Sequence, residues 1–238
     1  MPKPRRMTEI ADHFNREAAK FDDRVVKIVP DYREMLAALV GSLDFPAKKN
    51  IHVLDLGCGT GTIALAVKQR FPRASVHCVD LVPNMLQLAA YKLHRYSGVT
   101  FEQADFHRYA ISRRYHAVVT SLALHHLETD ADKMKMHRKI FRALLPGGVF
   151  ASADITVSPR KNLQQLYLGK WAQFVRRSFS EAALAENYRR YQREDRPSIL
   201  RRELGWLERI GFRHVEVLWK YYNFAVYAAY KSPAHSNT

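Results

Sequence analysis

The chain has 238 residues, 47% of them hydrophobic and 26% charged, which excludes global disorder and leaves material for one large domain or one domain with an added lid. Lys plus Arg exceed Asp plus Glu by 15, a balance that favours anionic partners such as RNA, anionic lipid or an acidic small substrate and says nothing about fold. Only two cysteines, Cys58 and Cys78, are present, which excludes a disulfide-rich scaffold and a Cys-only zinc site and fits a reducing compartment. No apolar run approaches the roughly 18 residues of a membrane span. The basic start, Met1 to Met7, is followed by Glu9, Asp12, Arg16 and Glu17 rather than an apolar core, so a cytoplasmic protein without a cleaved leader is expected.

Residues 7–44 read as helical, with Phe14, Ala18, Phe21, Val25 and Ile28 at helical spacing and a break expected at Pro30. Ile51–Leu56 is a short apolar strand ending in a glycine turn. Thr62–Phe71 then reads as a helix, Ser75–Val79 as a strand and Pro83–His94 as a helix with proline in its first turn. Strands follow at Val99–Glu102 and Tyr115–Ser121, a basic amphipathic helix at Asp130–Leu145, and a fifth strand at Gly147–Ile155. Strands alternating with helices imply a parallel sheet covered on both faces. Residues 160–196 interrupt that rhythm with helical sequence rich in Arg, Tyr and Gln. A helix resumes at Pro197–Ile210, and Phe212–Trp219 and Asn223–Tyr230 read as an antiparallel hairpin on the sheet edge. The expected fold is α/β, a doubly wound seven-stranded, mostly parallel sheet with a C-terminal hairpin and a helical lid. Its expected parts are N-terminal helices over 1–48, a ligand-binding core over 49–156, a lid over 157–200 and a closing helix and hairpin over 201–231.

Asp55-Leu-Gly57-Cys58-Gly59-Thr-Gly61 lies between a strand and a helix, where glycines let the backbone turn sharply and approach a ligand. Asp80 ends the next strand, 19 positions after Gly61, where a nucleotide-binding sheet offers a carboxylate to ribose hydroxyls. A dinucleotide is disfavoured because Thr62 stands at the third glycine position of that fingerprint, and no lysine at the helix start suits a nucleoside triphosphate.

Ile51–Gly61, Val76–Asp80 with Leu81-Val-Pro-Asn-Met85, Glu102-Gln-Ala-Asp105-Phe106, and Leu144-Leu-Pro-Gly-Gly148 followed by Asp154 resemble, in order, four motifs of the class I S-adenosylmethionine (SAM)-dependent methyltransferases. The resemblance implies a Rossmann-like fold and SAM as cofactor. It places Gly57, Gly59 and Gly61 along the methionyl part and Asp55 near the amino group. Asp80 would hold the ribose hydroxyls, Met85 would pack on adenine, Asp105 would accept from its amine and Phe106 would donate a backbone N–H. Cys58, Leu81 and Ser121 join these candidate cofactor contacts. By residue type alone, Asp55 and Asp105 also suit loop and turn caps, Met85 plain core, and Cys58 a small turn-filling side chain.

Ser121-Leu-Ala-Leu-His125-His126 follows the fourth strand and should border the methyl-transfer site. His125 and His126 are the candidate catalytic bases, since imidazole titrates near neutrality. A structural histidine is the preferred alternative, because proximity and in-line geometry suffice for many methyl transfers. No metal site is expected. Residues 160–202 carry eleven basic and four acidic residues, together with Tyr167, Trp171, Phe174, Phe179, Tyr188 and Tyr191. They suit either capture of an anionic acceptor or a solvated helical face.

Phe21-Asp-Asp-Arg24, Pro30-Asp-Tyr32 and the tail Gly211-Phe…Trp219-Lys-Tyr-Tyr-Asn223-Phe224 resemble the carboxy-SAM synthase family, which acts in tRNA wobble-uridine modification. That resemblance puts Tyr32 and Arg24 near the SAM carboxylate. The family offers an Arg to the added carboxylate from the helix before Gly211, where this chain has Trp206, with Arg201 and Arg202 one or two turns earlier. The expected activity is methyl transfer to a small-molecule acceptor of anionic character, with a SAM-modifying synthase or a tRNA methyltransferase as alternatives. No membrane partner is expected, and oligomeric state is left open.

Overall fold

Strands that are apolar along their whole length must be covered on both sides, and this requirement organises the chain. The computed structural model describes residues 5–106 and 108–233; residues 1–4 of the basic start lie outside the described residues. The N-terminal helices are α1 (Arg5–Glu17), α2 (Phe21–Ile28) and α3 (Tyr32–Gly41). The alternating core is β1 (His52–Leu56), α4 (Thr62–Arg70), β2 (Ser75–Asp80), α5 (Pro83–Leu93), β3 (Val99–Gln103), β4 (Tyr115–Ser121), α6 (Asp130–Ala143) and β5 (Leu144–Val157). It is followed by α7 (Lys161–Val175), α8 (Glu181–Glu194), a two-residue strand β6 (Ser198–Ile199), α9 (Leu200–Ile210), β7 (Arg213–Tyr221) and β8 (Phe224–Tyr230).

The sheet order is β3-β2-β1-β4-β5-β8-β7, with β6 beside the end of β5. Pairing is parallel from β3 to β5, while β8 runs antiparallel to both β5 and β7. Side chains alternate between two cores as the two-residue strand period requires. Val53, Val119, Ala151 and Val226 face one core, and Leu54, Val118, Phe150 and Tyr227 face the other. Burying each such side chain stabilises by about 1.5–3 kcal/mol, so every central strand is anchored from two sides.

Most boundaries agree with the sequence expectation to within one or two residues, and two differ by more. Strand β5 begins at Leu144 rather than Gly147, because Leu144 already pairs with Tyr115 and the Pro-Gly-Gly turn is absorbed as a register shift. The helix expected from Pro197 starts at Leu200, because Ser198 and Ile199 pair with Thr156 and Val157 as β6, an eighth strand beyond the seven expected. Lys133 fixes this segment by donating to the Arg196 carbonyl and to Ser198 Oγ.

Pro30 separates α2 from α3, and Asp31 takes a left-handed φ of 49° to make the corner. Thr129 and Asp132 form a reciprocal capping box at the start of α6. The stretch 157–200 contributes α7 and α8. Trp171 of α7 donates its indole N–H to the Ile28 carbonyl at 3.0 Å, tying α7 to α2. Among the described residues no helix is long and apolar enough to cross a membrane.

Gly61 shows how tightly the first loop sits. Its φ is +79°, and an added Cβ would meet Ala89 Cβ and Leu93 Cδ1 on α5, each at 3.0 Å. Gly61→Ala is expected to cost about 1–3 kcal/mol through backbone strain and overpacking, lowering the melting temperature by several degrees in thermal denaturation; an unchanged melting temperature would contradict the packing described.

Candidate functional site

The strand order reverses at β1 and β4, whose following segments depart to opposite sides and leave a crevice beyond their carboxyl ends. Two cavities fill it, enclosing about 840 and 1040 Å³ of empty space with their open mouths included. They share Phe14, Phe21, Leu122 and His126 as a common wall. Leu122 holds a left-handed φ of 50°, a conformation a branched residue adopts only where its surroundings fix it.

The first cavity lies against the glycine loop. Gly57, Cys58 and Gly59 form its floor, Asp80, Leu81 and Met85 one side, and Phe106, Ser121 and Tyr32 the rest of the wall that the sequence proposed. At Gly57 a Cβ would collide with Ala123 and Phe106, whereas at Gly59 it would meet nothing within 4 Å, so the Gly59 backbone faces open space. Asp80 accepts the Gly59 N–H at 2.8 Å and the Val82 N–H at 2.9 Å, locking the loop to the start of α5. Burial raises its pKa, and the N–H groups of Val82, Gly59 and Leu81 oppose that rise.

Asp55, Gly61 and Asp105 are not on the cavity wall. Gly61 packs on α5 instead. Asp105 is buried beside Phe106, its carbonyl accepting from the Arg108 and Tyr109 N–H groups. Asp55 is fully buried at the end of β1, and neither carboxylate oxygen has a hydrogen-bond partner. Burial pushes its pKa up to about 7, and Asp80 adds to the rise. A buried acid without a donor is costly. The Cys78 hydrogen bond, burial and the nearby acids push the Cys58 thiol up, which leaves it unsuited as a nucleophile.

The second cavity was not legible as a motif. It is walled by α1, α2, α7, α8 and the turn after β4, with His13, Arg24, Trp171, Asn187, Arg190 and Asp195 among its residues. Arg24 lines this cavity and Tyr32 the adjoining first one, on either side of the shared wall. Arg24 donates to Glu17 at 2.7 Å and to Asn187 Oδ1 at 2.8 Å, and Arg190 donates to the same Asn187 oxygen at 2.9 Å. Of the eleven basic residues in 160–202, Arg190 alone lines the cavity. Its neighbour Arg189 points away to Glu186, and Arg176, Arg193 and Arg202 pair with Glu181, Glu194 and Asp130.

Both candidate histidines are buried here. His125 Nδ1 contacts Asp154 Oδ1, and its Nε2 lies 3.5 Å from Asp195 Oδ1. Burial disfavours the His125 imidazolium, but Asp154 and Asp195 outweigh it and lift the pKa to about 10. His126 Nδ1 lies 3.4 Å from Asp195 Oδ1 and 3.3 Å from the Glu194 carbonyl, and burial pushes its pKa down to about 4.

A family profile described as "Methyltransferase domain" matches residues 53–148. The chain is 28% identical over 217 residues to the carboxy-S-adenosyl-L-methionine synthase of Desulfotalea psychrophila, covering 89% of this chain and 88% of the relative. It is 28% identical over 109 residues to the malonyl-[acyl-carrier protein] O-methyltransferase of Acetivibrio thermocellus, covering 46% of this chain and 37% of the relative. Among solved structures, human N-acetylserotonin methyltransferase in complex with SAM matches at a TM-score of 0.65 and 17% identity. A phosphoethanolamine N-methyltransferase of Haemonchus contortus in complex with S-adenosyl-L-methionine matches at 0.66 and 19%. These two matches cover 98% and 93% of this chain and 60% of each neighbour, and at such identities they show the fold.

The first cavity fits SAM, given the Asp80 carboxylate on its wall, the open face of Gly59 and the apolar Leu81 and Met85. An acid whose folded pKa lies above its ordinary 3.8 contributes stability that is complete below about pH 4 and is lost as pH rises through about 7. Asp55→Asn removes that loss. At pH 8 the ligand-free variant is expected to melt above wild type, with the melting difference shrinking as pH falls and vanishing below about pH 4; identical pH dependence in the two proteins would show that Asp55 is not the buried acid described.

Proposed function

We propose that this chain, a member of the class I SAM-dependent methyltransferase family, transfers the SAM methyl group to a small anionic acceptor held in the second cavity. The observation that carries the reading is the shared wall of Phe14, Phe21, Leu122 and His126, which sets an enclosed second cavity directly beside the cofactor cavity. When bound, SAM supplies an electrophilic methyl group on a sulfonium.

The chain's own residues bind, orient and exclude water. Asp80 holds the glycine loop in place and has lone pairs left for hydroxyl groups, since a carboxylate offers about four acceptor sites and the two N–H groups use two. Phe14, Phe21, Trp171 and Phe224 line the second cavity with apolar surface that keeps water from the transfer. Arg24 and Arg190, converging on Asn187, are the groups that would take the acceptor's negative charge. Both ring nitrogens of His125 are directed at carboxylates. That arrangement supports catalysis by proximity and alignment rather than by a free imidazole base.

A second reading follows from the relatives named carboxy-S-adenosyl-L-methionine synthase, which cover most of this chain. Against it, Trp206 is buried beside His137, and Arg202 pairs with Asp130 over the Trp206 ring, so neither brings a charge to either cavity. A tRNA acceptor is supported only by the basic stretch 160–202, much of which is ion-paired on the surface.

Incubation with SAM and a panel of small carboxylic acids, followed by mass spectrometry, separates these readings. Methyl transfer yields S-adenosylhomocysteine and a methylated acid, whereas a synthase yields a carboxylated SAM. Arg24→Ala and Arg190→Ala are expected to raise the acceptor KM by about tenfold or more, the loss of one charge-assisted contact, with the KM for SAM unchanged. Equal effects on both KM values would place these arginines outside the acceptor site.

A further inference from the structure

His125, His126 and Asp195 meet at the inner end of the second cavity, and their ligand-capable atoms lie within 4.8 Å of one another. Asp195 Oδ1 stands 3.5 Å from His125 Nε2 and 3.4 Å from His126 Nδ1. Those separations are long for N–H···O hydrogen bonds, which centre near 2.9–3.0 Å. They match the spacing between neighbouring ligands of a tetrahedral ion: bonds of about 2.0–2.1 Å put the ligand atoms about 3.3–3.4 Å apart. We propose that His125, His126 and Asp195 form a binding site for one divalent transition-metal ion, with Asp154 orienting His125.

Three further observations support the site. Asp154 contacts His125 Nδ1 and also accepts the His125 backbone N–H at 3.2 Å, which leaves Nε2 facing Asp195. A carboxylate behind a ligating histidine is the usual outer partner of a metal site. The ligands are also held by backbone ties that need no ion. Arg196 N–H donates to the His125 carbonyl at 2.8 Å, and Arg6 bridges the Glu194 and His126 carbonyls at 2.6 and 2.7 Å. Such ties keep the end of α8 against the turn after β4, the preorganisation a site on two distant segments requires. Finally, Asp154 and Asp195 together carry two negative charges, which offset a divalent cation bound by neutral imidazoles. The other polar neighbours are the Glu194 carbonyl, 3.3 Å from His126 Nδ1, which the ion must outcompete for that nitrogen, and the guanidiniums of Arg6 and Arg190, whose charges act on Asp195.

Two histidines and one carboxylate leave coordination positions open, the pattern of catalytic rather than structural sites. Because all three residues line the second cavity and His126 also lines the first, the open side faces the place where an acceptor would lie. An oxygen donor of the acceptor would take the free position, which fixes it toward the cofactor cavity. Metal binding stands or falls by itself, whatever acceptor the Proposed function requires.

The test is metal titration of the untagged full chain after chelator treatment and dialysis. Co(II) is expected to bind at one equivalent per chain with visible d–d absorption, and Zn(II) to displace it. Asp195→Asn and His126→Gln are each expected to weaken Co(II) binding more than about 100-fold, and Asp154→Asn about 10–100-fold, while circular dichroism and a cooperative thermal melt report that each variant folds. Should Asp195→Asn not fold, His126→Gln carries the test alone. Absence of saturable Co(II) or Zn(II) binding by wild type overturns the site and leaves His125 as an imidazolium clamped between two carboxylates. Affinity unchanged in a folded ligand variant overturns it equally.

Discussion

The gap between β1 and β4 governs the rest of the molecule. Each parallel strand must hand its chain to a helix, and where the connections leave in opposite directions no helix of the core can close the space above the strand ends. The glycine loop after β1 and the turn after β4 therefore stand open, and other parts of the chain must cover them. The N-terminal helices α1 and α2 and the segment α7–α8 do so, coming from opposite ends of the sequence. Their meeting is secured by polar contacts with long sequence separation: Arg6 to Glu194 and His126, Arg24 to Asn187, and Trp171 to Ile28. The wall is thus built of charged and aromatic side chains rather than of sheet core, and this gives the second cavity its chemistry.

The covering segments also divide the crevice. Phe14 and Phe21 descend from α1 and α2 onto the partition that Leu122 and His126 raise from below. Phe14 meets the His126 ring edge-on at 5.6 Å. The left-handed Leu122 belongs to this partition, and its backbone N–H is held by the Ala153 carbonyl at 2.9 Å. The strain at that residue is maintained by β5, so the partition is positioned by the sheet and not by the mobile fitting of side chains.

What the sequence disclosed follows from how local each feature is. The glycine loop and Asp80 could be read because one strand–turn–helix unit imposes them at fixed spacing, and Asp80 acts on that same loop through Gly59 and Val82. The strand pattern was legible because burial on two faces leaves continuous apolar runs. The Pro-Gly-Gly segment misled, since it reads as a breaker, yet Gly148 fits where a Cβ would press the Leu145 and His116 carbonyls at 2.8 and 2.9 Å. The second cavity left no local signature. Phe14, Trp171 and Asn187 look like ordinary helix residues until α1, α7 and α8 converge, and Asp195 lies about 70 positions from the histidines it joins.

The charge excess of 15 yields to the same reasoning. Adjacent arginines on a helix point apart, so Arg189 and Arg190 cannot share a role. Arg189 is spent on Glu186 at the surface, and Arg190 turns inward to Asn187 and His13. Surface ion pairs of the first kind contribute about 0–1 kcal/mol each and direct nothing into the site. The inward guanidinium is different, because burial strips it of water and lowers its pKa, and it sits beside Arg24 with one shared acceptor between them. Glu17, Glu194 and Asp195 line the same cavity, so the two guanidiniums sit among carboxylates as well as sharing one amide oxygen. Arg24 and Arg190 thus stand apart from the ion-paired surface arginines, as do Lys68 and Lys133, which are buried and donate to backbone carbonyls.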